Sequence, residues 1–375
     1  MRDRRLAAAF AVATSVTLLL GACSSGSGGD SSDASGVDAA TATNLDAFGS
    51  MSDLEKAATA EGQLNVIALP RDWANYGAVI DAFTAKYPDI TVNEASPDAS
   101  SAEEIQAAET NAGLDTAPDV FDLGLTVALQ NTDKFAPYQV STWDDIPENL
   151  KEETGLYVGD YGGYMSVGYD SSKFDAPKTF DDLLEPAYKG AVALNGDPTQ
   201  AGAAFAAVAL ATVQNGGTLD DFTPGVDYFS KLNDAGNLLK VDPTSATVAS
   251  GETPIVFDWD YLNAAHNADN PEWKVAIFPG TGIAGYYNQA INADAPHPAA
   301  ARLWEEFLYS DDAQNLWLAG GARPARAEAM EAAGTIDEKL FSALPEAPTD
   351  SLVPSEEQTT AAGELLGRDW AGAVD

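Results

Sequence analysis

Short apolar strands alternate with amphipathic helices through most of this chain, and that alternation limits the fold more than any other feature. A short helix over 52–60 ends at Gly62, and residues 64–69 read as a buried strand. The loop Pro70-Arg71-Asp72-Trp73-Ala74-Asn75 follows. Tyr76, Val79, Ile80, Phe83 and Tyr87 then recur at helical spacing, and Pro88 stops the helix before a strand over 90–92. Ser101-Ala102-Glu103-Glu104 has the form of a capping box opening another helix, and 119–123 is a further strand. A second block of the same kind begins after Gly162-Gly163, with strands over 164–169, 191–195, 255–257 and 275–277 and an Ala-rich helix over 201–213. The last section is helical: 298–309 is amphipathic, and Ser310 caps 311–318 ahead of Gly320-Gly321. This order predicts an α/β fold with a largely parallel sheet. Two such blocks joined by short crossings predict two lobes with a cleft between them. Ligands of open α/β sheets sit beyond the carboxyl ends of strands, so the loops at 73–76 and 258–261 are the places to search.

The N-terminus sets the compartment. Arg2, Arg4 and Arg5 precede an apolar run over 6–20 that is short for a membrane span and laid out like a secretion signal. It ends in Leu20-Gly21-Ala22-Cys23, which resembles the bacterial lipobox, and Cys23 is the only cysteine in the chain. The expectation is a signal peptide over 1–22 and a lipidated Cys23 holding the protein on the outer face of the cytoplasmic membrane. Residues 23–46, poor in large apolar side chains, are expected to form a flexible leash. The body from 47 onward is long enough for two domains, and 45% hydrophobic residues supply a core.

The formal charge is −39. Such a surface repels nucleic acid and anionic headgroups and draws cationic ligands at long range. It serves solubility or a saline habitat equally well, so charge alone names no ligand.

Catalytic chemistry is sparse. The two histidines, His266 and His297, lie far apart in sequence. There is no G-x-S-x-G elbow, neither a P-loop nor a G-x-G-x-x-G in a strand–loop–helix setting, and no His/Cys cluster with zinc spacing. The chain therefore reads as a binding protein and not an enzyme, with no cofactor and no resident metal.

Two segments carry a family resemblance. Pro177-Lys178-Thr179-Phe180-Asp181-Asp182-Leu183-Leu184-Glu185-Pro186-Ala187-Tyr188-Lys189-Gly190-Ala191-Val192, with its Tyr-Lys-Gly before a strand, resembles bacterial family 1 extracellular solute-binding proteins. So does the block from Asn288 to Leu316, with Ala295-Pro296-His297-Pro298, Trp304, Phe307-Leu308 and Ser310-Asp311-Asp312-Ala313-Gln314. The resemblance implies the two-lobe type II periplasmic-binding-protein fold with two hinge crossings. Lobe one is expected at 47–162 plus 285–375, and lobe two at 163–284. It also implies a small-molecule ligand, an ABC transporter permease as partner and a monomer. Polyamine receptors of this family hold a cation between aromatic rings and carboxylates. On that pattern Trp73 and Tyr76 are candidate walls and Asp197 a candidate ammonium anchor. Asp258, Trp259, Asp260 and Tyr261 form a second wall with carboxylates. Tyr286 falls on the return crossing, where Gly285-Tyr286-Tyr287-Asn288 lacks the carboxylate of the polyamine receptors. Tyr76 reads equally as the first core position of its helix, and Asp197 as a turn or cap residue. The expected ligand is an organic cation of polyamine type. A ferric ion, another small solute or a sensing role on the same fold are the alternatives.

Overall fold

The computed structural model describes residues 37–374. The signal segment 1–22, Cys23 and the leash up to residue 36 lie outside the described residues. Helix α1 (Met51–Glu61) starts at Ser50, whose side chain accepts from the Asp53 amide, and stops at Gly62 with φ 71°. Strand β1 (Gln63–Ile67), α2 (Tyr76–Lys86) and β2 (Thr91–Ala95) follow, with β1 and β2 paired in parallel. The capping box of α3 (Ser101–Thr110) lies one residue earlier than the sequence suggested, on Ser100 and Glu103. Ser101 and Glu104 are left to accept from the amides of Gly124 and Asp122, which tie α3 to β3 (Val120–Gly124). Then come α4 (Leu125–Gln130), β4 (Phe135–Ala136) and the long β5 (Val158–Asp170).

The second half contains β6 (Val192–Leu194), α5 (Gly202–Gln214), α6 (Thr223–Asp234), α7 (Ser245–Ser250), β7 (Ile255–Trp259), α8 (Asp260–Ala265) and β8 (Trp273–Ala276). The chain returns through β9 (Thr281–Asn292) to α9 (Pro298–Leu308), α10 (Asp311–Ala319) and β10 (Arg323–Pro324). It closes with α11 (Ala327–Ala333), α12 (Glu338–Phe341), β11 (Asp350–Leu352) and α13 (Glu356–Val374). Among the described residues no helix is long and apolar enough to cross a membrane.

Strands β5 and β9 belong to both halves. From Val158 to Tyr164, β5 pairs antiparallel with β9; from Met165 to Asp170 it pairs with β7 and β8. The far end of β9 pairs with β3 and β4, and its first residues with β11. Two crossing strands of opposite direction thus link two α/β lobes in a type II arrangement. They also correct the expectation of a largely parallel sheet. Only β1–β2, β6–β7 and β11–β9 run parallel, because an outgoing and a returning strand side by side impose antiparallel pairing on their neighbours.

Both ends of the described chain are packed. Residues 37–46 are packed rather than leash-like: Arg302, buried on α9, donates to the carbonyls of Ala40 and Ala42. A buried guanidinium needs acceptors, and the polar backbone of this segment supplies them. The C-terminal residues, expected with 285–375 on lobe one, pack against elements of both halves. There β11 extends the start of β9, and α13 packs on α6, with Trp370 edge-on to Phe229 at 5.6 Å. The buried stripe Thr359, Ala362, Leu366 and Trp370 on α13 needs an apolar partner, and α6 presents Phe229.

Candidate functional site

The crossing strands gather the aromatic side chains. A register irregularity in β5 between Gly159 and Gly162 sets Asp160 and Tyr161 at the join of the lobes. The Tyr161 ring stacks on Tyr287 of β9, with centroids 5.6 Å apart and planes 9° from parallel. Trp73, from the loop before α2, stands edge-on to Tyr287 at 5.7 Å and donates its Nε1–H to the Tyr161 hydroxyl at 2.8 Å. From the second half, Tyr261 on α8 meets Tyr161 edge-on at 5.9 Å. Trp259 comes up against Gly285, where any Cβ would collide with its ring. Gly285→Ala is expected to push Trp259 aside and weaken ligand binding about tenfold with little loss of helix content, measured by titration calorimetry and circular dichroism.

Carboxylates lie among these rings. Asp122, on β3, accepts from the Tyr161 hydroxyl at 3.0 Å and from Gln289 Nε2 at 3.1 Å. Asp258, at the end of β7, accepts from Asn195 Nδ2 at 2.9 Å and from the Trp259 amide at 2.8 Å. They are 5% and 4% exposed, and no basic side chain among the described residues is paired with either. Burial pushes both carboxyls up to about 7, against partial relief from these hydrogen bonds. Both charges reach the Tyr261 and Tyr287 hydroxyls, whose own ionisation burial and then these neighbours make harder. The site is therefore a packed aromatic cluster whose only strong electrostatic feature, among the described residues, is negative. It can bind a cation, whose charge would settle the two carboxylates while ring faces meet its apolar parts.

The structure treats the residues expected from sequence unequally. Trp73, Asp258, Trp259 and Tyr261 stand in this cluster. Tyr76 does not reach it as a wall. Fully buried, it packs edge-on to Trp317 at 4.6 Å and accepts from Gln289, because the first turn of α2 faces the core. Asp197 is an exposed turn residue, its carboxylate accepting from the amide and hydroxyl of Thr199. Asp260 turns to the hinge: its Oδ1 accepts from the amides of Tyr164 and Tyr261, and Arg323 lies 3.8 Å from Oδ2. Tyr286 faces away from Tyr287, as strand neighbours do, and shares the Arg323 side with Tyr164.

Asp122, Tyr161, Tyr287, Gln289 and Asn195 were not singled out from sequence. Asp122 had a detectable signal, an acid in the middle of the apolar strand Val120-Phe121-Asp122-Leu123. Tyr161 and Gln289 had none, since their place depends on the pairing of β5 with β9.

Residues 116–347 match the family of bacterial extracellular solute-binding proteins. No curated protein matches the sequence. Among solved structures the chain is similar to an ABC transporter substrate-binding protein from Bradyrhizobium japonicum, with TM-score 0.65 and 17% identity over 84% of this chain and 100% of that one. It is similar to the spermidine/putrescine ABC transporter substrate-binding protein PotD from Streptococcus pneumoniae, with TM-score 0.62 and 14% identity over 84% and 99%. Iron-bound HitA from Pseudomonas aeruginosa gives TM-score 0.63 and 19% identity over 82% and 99%. At these identities the likeness establishes the fold.

Proposed function

Because the chain belongs to the bacterial extracellular solute-binding proteins, and so is an extracytoplasmic substrate-binding protein of an ABC transporter, we propose that it captures a small organic cation between its lobes and delivers it unchanged to its permease. The carrying observation is the pair Asp122 and Asp258, buried among Tyr161, Tyr261, Tyr287 and Trp73 with no basic partner among the described residues. Each ring face contributes ~0.5–2 kcal/mol toward a cation, and a buried carboxylate supplies the charge that replaces its hydration. The lobes as proposed exchange at β5 and β9, and closure is favoured because the ligand touches both sides only when they meet. Lipidation at Cys23, a monomeric state and the absence of catalysis belong to the same proposal.

The test is calorimetry of the full chain against polyamines, choline-like and thiamine-like cations, amino acids, phosphonates and Fe³⁺. An organic cation should bind, and Trp73→Ala and Trp259→Ala should each weaken it tenfold or more. Unchanged affinity in both variants discards the site. A ferric ion is the second reading, favoured by Tyr261 and Tyr287 converging with two carboxylates, all hard oxygen donors. It ranks lower because burial and the adjacent carboxylates both oppose the phenolates it needs. A tyrosinate–iron charge-transfer band on Fe³⁺ titration would decide for it.

A further inference from the structure

We infer that capture of a cation at this site expels a proton held between Asp122 and Asp160 across the amide of Gln289; the inference rests on the cation reading above. Gln289 Nε2 lies 3.1 Å from Asp122 Oδ1 and 3.1 Å from Asp160 Oδ2, and 3.0 Å from the Tyr76 hydroxyl. An amide has only two N–H bonds, so it cannot satisfy all three oxygens at once. Asp160 is fully buried, and its other oxygen accepts from the Tyr161 amide. Two buried carboxylates bridged by one neutral amide cannot both stay ionised without a compensating charge.

Among the described residues the surroundings supply no such charge. The ionisable groups facing the pair are Tyr76 from α2, Glu104 from α3, Tyr161 from β5, and Glu305 and Tyr309 from the end of α9. Across the site stand Tyr261, Tyr287 and Asp258. All are acids or phenols. Arg302, the base that Glu305 feels, is committed to the carbonyls of Ala40, Ala42 and Pro298. Glu305 adds a separate sign of the same electrostatics: its Oε1 is buried with no hydrogen-bond partner among the described residues. Burial raises Asp160 well above its ordinary range, with Asp122 adding to it, and raises Asp122 to about 7. A cation seated beside Asp122 replaces the proton's charge, and the proton leaves its carboxyl oxygen for solvent.

The experiment is calorimetry of the full chain from pH 5.5 to 8.5 in phosphate and in Tris, with putrescine as probe and with choline and agmatine alongside it. The expected result is a buffer-dependent enthalpy equal to about one proton released at pH 6.5, with Kd tightening about tenfold per pH unit below 7. Asp160→Asn should lower the number of protons released and make that dependence shallower, the remainder belonging to Asp258, whose carboxyl burial also raises. Glu305→Gln should keep it. Tight binding with the same Kd and buffer-independent enthalpy across the range would overturn the inference while leaving the cation reading in place. So would an Asp160→Asn protein that keeps the full dependence. Should no probe bind wild type at any pH, the cation reading fails and the inference falls with it. The wild-type titration stands alone if Asp160→Asn does not fold.

Discussion

Asp258→Asn is expected to weaken cation binding by about 100-fold or more and, at pH 8, to leave the protein as stable as wild type or more so. Asparagine keeps the shape, and its one carbonyl oxygen keeps one of the two donors, Asn195 Nδ2 or the Trp259 amide. What goes is the charge. Truncating one partner of a buried charge pair costs about 2–5 kcal/mol of binding, and 1.4 kcal/mol is tenfold in Kd. Stability moves the other way because the carboxylate is 4% exposed and pushed up to about 7 by burial, so ionising it strains the unliganded protein. Asp122→Asn should behave alike. Asp197→Asn is the control: its carboxylate is exposed and serves only its own turn, so affinity should not change. Asp260→Asn should do little to affinity, its charge being turned to Arg323. Calorimetry with thermal melts on the four variants checks this. Equal affinity in wild type, Asp122→Asn and Asp258→Asn removes the carboxylates from the site.

The same four positions mark how far sequence reasoning reaches. The strand–helix order was legible because apolar period and caps are local. Tyr76-Val79-Ile80-Phe83 forms α2, and Ser310 caps α10 through the Ala313 amide. Asp258, Trp259 and Tyr261 could be picked out because one segment holds them, at a strand end where ligands sit. Asp197 looked as good, and the structure gives it a turn with Thr199, since an aspartate before proline does the same local work in a turn as at a site. Tyr161, Tyr287 and Gln289 were illegible for a different reason. Their roles come from the antiparallel register of β5 on β9, where Gly162 faces Tyr286 and Val158 faces Gln289. No local pattern encodes a pairing between strands more than a hundred residues apart. The largely parallel sheet failed on the same point, because direction of pairing is a property of the crossing and not of either strand. The packing of 37–46 was missed because its partner, Arg302, acts through backbone carbonyls, which any sequence offers.

Stability should fall as pH rises from 5 to 8.5, the reverse of ordinary acid denaturation. Burial holds Asp122, Asp258 and Glu61 up to about 7, Asp260 to about 6 and Glu305 to about 8, against ordinary values near 4. An acid whose folded pKa is raised binds its proton more tightly in the native state. Its contribution is full below the unfolded pKa and is lost as pH climbs through the folded one, here between about 4 and 8. His297 works in the same sense. Burial pulls it down, but its hydrogen bond to Asp119 and the nearby charges of Asp119, Asp115 and Glu61 outweigh that and raise it. Carboxylates held low, such as Asp53, Glu103 and Asp221, are exposed and act only below pH 4, outside this window. With each pKa unit equivalent to about 1.4 kcal/mol, several buried carboxyls together give a loss of several kcal/mol. A fall in Tm on the order of 5–10 °C between pH 5.5 and 8 follows. The self-repulsion of a chain with formal charge −39 adds to it. A bound cation offsets the strain where the carboxylates are ionised, so the Tm gain on adding ligand should be larger at pH 8 than at pH 5.5. Scanning calorimetry at both pH values, with and without ligand, checks both signs. A Tm that climbs steadily to pH 8 would mean that these carboxyls have partners or water that the packing around Asp122 and Asp258 does not provide.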